Sequence, residues 1–264
     1  MDNDGTPPRL DSTVINRRFP KRVNTKVVVS GNLLQLYYFD ESIVIENGAK
    51  NTRGRTGIVD RSSEYKARSL HKGRNIIRCL VQANFNAEAK FITLTFNDKN
   101  LFDTKSIKQC DEKFRLFIRR LKFKYPHFKE YLMVREFQNR GVVHYHIIAN
   151  LPYIAKDDLA KMWGHGFVWI NEITNVFGIG AYLSKYLTKD MIDIRFKGFK
   201  TYIASRNLKR PVVYYGEEAE SMKNELVDKS DFPSYEGTYK SQCNGFVYFS
   251  EYNLTQLPAR ESKK

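Results

Sequence analysis

Two of the chain's five histidines, His144 and His146, stand one residue apart in the stretch Arg135–Pro152, REFQNRGVVHYHIIANLP. On a strand, residues i and i+2 project from the same face, so the two imidazoles point the same way. Glu136 lies eight residues before His144, with Asn-Arg-Gly between them. A three-residue hairpin loop with glycine in the left-handed position is a common connection. If Asn139–Gly141 is that loop, Gln138 faces Val142, Glu136 faces His144 and Val134 faces His146. Cross-strand partners share a face at about 5 Å. Two imidazoles and one carboxylate then converge in the manner of a divalent-metal site with positions left open for a substrate. Gln138, on the same face, is a second oxygen donor that could assist or replace Glu136. A bare His-x-His also suits a hairpin with one solvated face; the register-matched glutamate favours the metal.

The second chemistry-bearing stretch is Phe177–Asp190, FGIGAYLSKYLTKD. Read as a helix, Ile179, Leu183 and Leu187 form one stripe. Tyr182, Lys185, Tyr186 and Lys189 form another, about 110° away at ~100° per residue. The bland reading is a half-buried helix with boundary tyrosines and solvated lysines. Beside a metal site the same face offers two phenol nucleophiles and two ammonium groups. A metal at Glu136, His144 and His146 would polarise a phosphodiester, and a tyrosine would attack phosphorus. A phenol with a pKa of about 10 is mostly neutral at pH 7, so it needs the metal, the lysines or both. The phosphotyrosine keeps an ester linkage, so a free DNA hydroxyl can reverse the step. Two tyrosines four residues apart can act in turn.

Other elements must hold these groups. Phe91–Phe96, FITLTF, alternates and predicts a central strand. Ile107–Lys124 predicts an amphipathic helix, with Ile107, Cys110, Phe114, Phe117, Ile118 and Leu121 on one face and a row of cations on the other. Ser62–Ala83 fits a helix, Val23–Val29 and Leu33–Phe39 a hairpin, Asp157–Trp163 a short helix and Phe167–Ile170 a short strand. Val212–Tyr215 and Gly245–Ser250 read as strands, with a helix over Glu217–Leu226 between them. Residues 1–22 read as a basic flexible arm, 23–215 as the main domain and 216–264 as a C-terminal extension.

Composition narrows the partners. Against 29 acidic residues stand 44 basic ones, a net charge of +15, which implies a polyanionic partner. No long apolar run predicts a membrane span, and the N-terminus lacks a signal-peptide core. The expectation is therefore a cytoplasmic protein without a membrane partner, and so nucleic acid. The three cysteines are far apart and read as reduced thiols. Arg135, Arg140, Arg119, Arg120 and Lys122 are candidate DNA contacts.

FITLTF, GVVHYHII and YLSKYLTK, in that order and spacing, resemble the three motifs of the HUH endonucleases. The likeness is strongest to two-tyrosine rolling-circle replication initiators of small plasmids and single-stranded DNA phages. It covers roughly residues 91–190. It implies an α+β fold with a central antiparallel sheet of about five strands and helices packed on it. It also implies Mg²⁺ or Mn²⁺ on Glu136, His144 and His146, with nucleophiles Tyr182 and Tyr186 assisted by Lys185 and Lys189. The expected activity is nicking and rejoining of single-stranded DNA at an origin hairpin, leaving a 5′-phosphotyrosine and a free 3′-hydroxyl primer. The family's frequent helicase domain is missing, so a host helicase and polymerase in a bacterial cytoplasm are expected partners. Transposition or conjugative transfer would use the same chemistry. A non-catalytic nucleic-acid-binding domain would account for the charge but not for the ligand set. An iron oxygenase would account for the ligands but not for the charge.

Overall fold

Strands form where apolar and polar residues alternate, and helices where apolar residues recur every three or four positions. The computed structural model describes residues 21–45, 63–174, 178–184, 194–196, 198–200, 202–227, 231–241 and 244–255. A hairpin of β1 (Lys21–Ser30) and β2 (Leu33–Ile45) comes first. Gly31 at its turn has φ 57°, and a Cβ there would stand 2.1 Å from the carbonyl oxygen of Gln82. Only glycine lets this turn rest on the following helix, α1 (Ser63–Asn84). Next come β3 (Lys90–Leu94), α2 (Ile107–Lys124), β4 (Tyr131–Phe137), β5 (Val143–Ala149), α3 (Lys156–Trp163) and β6 (Val168–Glu172). Residues 178–184 are helical and form α4. After one 3₁₀ turn (Ile194–Phe196) the chain runs through β7 (Tyr202–Ala204), β8 (Val212–Tyr215), α5 (Glu217–Leu226), β9 (Tyr235–Ser241) and β10 (Gly245–Asn253).

The fold is α+β, as expected, with two antiparallel sheets of five strands each. The central sheet, in the order β6-β3-β5-β4-β7, holds the motif-bearing strands. The flanking sheet, β8-β1-β2-β10-β9, is an addition to the expected single sheet and comes from segments on either side of the motifs. Its strand β9, YEGTYKS, is mostly exposed, so it lacks the buried face that writes a strand pattern.

The helices stack the sheets into layers. Ile77, Leu80 and Val81 of α1 pack on Phe91, Leu132, Val134 and Ile148 of the central sheet. On the other side of α1, Cys79 packs with Val28, Leu33 and Tyr37 of the flanking sheet. Polar pairing ties the same interface: Gln35 Nε2 donates to Asn75 at 2.7 Å and to Glu251 at 3.1 Å, and Arg78 pairs with Glu251. The opposite face of the central sheet buries Ile92, Leu94, Tyr145 and Ile147 under α2 and Trp163 of α3. With both faces covered, every residue of the middle strand β5 is buried. Among the described residues no helix is long and apolar enough to cross a membrane.

Candidate active site

The hairpin carrying the histidines has the expected register. Glu136 pairs with His144, Val134 with His146 and Phe137 with Val143. The loop closes by Gln138 N–H donating to the Val142 carbonyl at 2.9 Å and Gly141 N–H to the Gln138 carbonyl at 2.7 Å. Gly141 takes φ 82°, the left-handed position that a three-residue loop requires.

Glu136, His144 and His146 each offer one ligand atom, and these atoms lie within 4.8 Å of one another. Donors bound to one Mg²⁺ at ~2.1 Å lie at most about 4.2 Å apart, so small side-chain rotations close the set. His146 Nε2 and Glu136 Oε2 are 2.9 Å apart, and His146 Nδ1 lies 3.3 Å from Thr93 Oγ1. His144 Nε2 is buried and has no hydrogen-bond partner. Burial, then the neighbouring His146, pushes the His144 pKa down to about 4; Glu136 opposes this shift and Arg140 adds to it. His144 is therefore neutral at pH 7, with a nitrogen lone pair unsatisfied by protein. Buried polar atoms are seldom left so, and a divalent cation would satisfy this one. The residues present fit such an ion, and a hydroxyl on the far nitrogen of a ligand histidine fixes its ring in the way metal sites commonly do.

The ring of Phe91, on β3, stacks against His146 with centroids 6.0 Å apart and an interplanar angle of 18°. It also meets Tyr182 of α4 edge-on at 5.5 Å. Phe91 is thus the shared neighbour of a ligand and a candidate nucleophile. Leu183 is fully buried and anchors α4 to the core, while Tyr182 remains 43 % exposed. Gly180 permits the close approach, since a Cβ there would already stand 3.4 Å from the Arg78 backbone. Lys185, Tyr186 and Lys189 lie outside the described residues.

The candidate DNA contacts separate. Arg135 is 3 % exposed and projects from the face opposite the ligands. There its Nε and Nη2 donate to Asp111 at 2.8 and 2.6 Å, and Tyr145 Oη donates to the same carboxylate at 3.0 Å. It is a core ion pair, which corrects its reading as a DNA contact. Arg119, Arg120 and Lys122 are exposed on α2, across the sheet from the ligands, and Arg120 donates to the Met162 carbonyl. Arg140, at the hairpin tip, is the cation near the ligands. It donates to Gln138 Oε1 at 2.9 Å, to Asp98 at 2.8 Å and to the Phe96 carbonyl at 2.7 Å. The Gln138 oxygen is therefore engaged by Arg140. Thr93 and Phe91 join the site without having been candidates from sequence. Their alternation in FITLTF marks one face of β3, but only the pairing of β3 with β5 sets Thr93 beside His146.

A cleft of about 950 Å³ lined by Lys90, Lys124, His127, Asn150 and Tyr153 lies at the other end of β3 and β5 from the ligands. No curated protein and no solved structure matches the chain. Residues 89–191, which contain the whole ligand set and Tyr182, match a family model of replication-associated proteins, the ORF2 type, and this match supports a replication initiator.

Proposed function

We propose that the protein initiates rolling-circle replication by nicking and rejoining single-stranded DNA through tyrosine transesterification. The observation that carries this reading is the convergence of Glu136, His144 and His146 one phenyl ring away from Tyr182. Glu136, His144 and His146 would hold Mg²⁺ or Mn²⁺, which supplies charge neutralisation and polarisation of the scissile phosphate. Thr93 keeps the His146 ring in orientation. The tyrosine oxygen bonds to phosphorus, and the phenolic proton passes to a base or solvent. The P–O3′ bond breaks, its electron pair leaving with the 3′-oxygen, which gains a proton and becomes a primer hydroxyl. The 5′ side remains as a tyrosine ester. A later 3′-hydroxyl attacks that ester and restores the phenol, so no bond energy is lost to water. Tyr186 is the alternate nucleophile, and Lys185 and Lys189 favour the phenolate.

The test incubates labelled single-stranded oligonucleotides tiling the encoding replicon with protein and millimolar Mn²⁺ or Mg²⁺. A covalent adduct should survive a denaturing gel and vanish with chelator, in Tyr182→Phe/Tyr186→Phe and in His144→Ala. Mass spectrometry of the tryptic adduct assigns the attacking tyrosine. Cleavage that persists in both His144→Ala and His146→Ala would overturn the metal assignment.

A further inference from the structure

The edge of the central sheet beside the ligands carries two large uncovered rings. β6 is an edge strand; Phe167, just before it, is 70 % exposed and Trp169 within it is 48 % exposed. Their centroids are 5.8 Å apart and their planes inclined by 44°. Pairing registers set Val134, His146, Thr93 and Trp169 in one cross-strand row, and residues in such a row project from one face. Phe167, two positions from Trp169, shares that face. It is bound to Thr95 through its own amide, at 2.9 Å to Thr95 Oγ1, and its carbonyl accepts from the Thr95 amide at 3.0 Å. Both rings therefore stand on the sheet face that bears the metal ligands.

Two strand spacings separate β6 from β5, roughly 10 Å. At ~3.4 Å per stacked base this is about three nucleotides. The preceding residue holds the edge in place: a Cβ on Gly166 would stand 2.4 Å from the Thr95 carbonyl oxygen, so glycine alone lets Phe167 approach β3 so closely. An exposed apolar edge invites aggregation unless something covers it. The chain's net charge of +15, and Arg140 at the neighbouring end of β3, select a polyanion with flat apolar faces as the cover.

We propose that Phe167 and Trp169 form a base-stacking platform that receives single-stranded DNA and leads it to the Glu136–His144–His146 site. The proposal rests on the DNA reading above and adds the residues that grip the strand. Base–aromatic stacking tolerates any sequence, so the platform serves affinity and leaves choice of site to other contacts.

The experiment measures binding of a short fluorescein-labelled oligothymidylate to the full chain in EDTA, where no nicking occurs. Of the two tryptophans, Trp163 is fully buried, so quenching of intrinsic fluorescence reports Trp169. Phe167→Ala and Trp169→Ala should each weaken binding about tenfold, and Trp169→Phe should retain most of it. The slope of log affinity against log salt should stay unchanged, because phosphate contacts are untouched. Both rings are exposed, so thermal unfolding of the variants should match wild type. Wild-type affinity in Phe167→Ala/Trp169→Ala overturns the platform while leaving adduct formation to judge the nicking reaction. A wild-type dimer, seen by light scattering and dissolved by the double variant, assigns the rings to self-association and also overturns it. Strand binding through the rings without any adduct supports the platform and refutes the nicking. Absence of all single-strand binding refutes both.

Discussion

His144→Leu should make the metal-free protein more stable and leave it unable to respond to metal. His144 is only 8 % exposed, and its Nε2 has no hydrogen-bond partner. Leaving a buried polar atom unsatisfied costs about 1–3 kcal/mol. Leucine has a similar volume and no polar atom, so it removes that penalty, and imperfect fit takes back part of the gain. The expected net gain is about 1 kcal/mol, or roughly 2–4 °C in Tm for a chain of this size. In wild type, Mn²⁺ at a hundred times its Kd should add about 2.7 kcal/mol, a rise of roughly 5–10 °C. The assay is thermal unfolding by circular dichroism after EDTA treatment, repeated during Mn²⁺ titration. The reasoning fails if the variant is less stable than wild type without metal, or if it keeps the Mn²⁺-dependent rise.

Asp111→Ala strands Arg135 inside the core and should cost about 3–5 kcal/mol, read as a lower denaturant midpoint; adding Arg135→Met should recover much of it. Thr93→Val removes the hydroxyl beside His146 Nδ1 and should weaken Mn²⁺ binding about tenfold or more by calorimetry, with the fold intact. Cys79 and Cys110 are buried, and burial, followed by the Asp111 and Asp103 carboxylates, pushes the Cys110 thiol up to about 12. Both should resist a thiol reagent at pH 8 until denaturant is added, as mass spectrometry of the labelled peptides will report.

The sequence is most legible where the geometry is local. The Asn139–Gly141 loop and the alternation on either side of it determine the register of β4 on β5, and with it the Glu136–His144–His146 cluster. Contacts between distant segments leave a fainter trace. Thr93 meets His146, and Trp169 joins their row, through pairings that no loop chemistry dictates. Arg135 reads as a surface cation because its neighbours on β4 do not reveal its partner. The clue lies on a distant helix: Asp111 sits on the apolar stripe of α2 between Ile107 and Phe114, where a carboxylate needs a buried counter-charge. β9 leaves no pattern because an exposed edge strand imposes little demand on residue type.

The position of α1 between the sheets limits the autonomy of the motif-bearing segment. Ile77, Leu80 and Val81 roof the strands that carry the ligands, yet they precede residues 89–191. Cut away from them, the matched stretch would expose Phe91 and Ile148 to water and lose the floor beneath Tyr182. The stretch in which the chemistry is written is therefore not a thermodynamic unit. A helix shared with a second sheet completes it, so a perturbation on the flanking sheet has a direct mechanical route to the ligand strands.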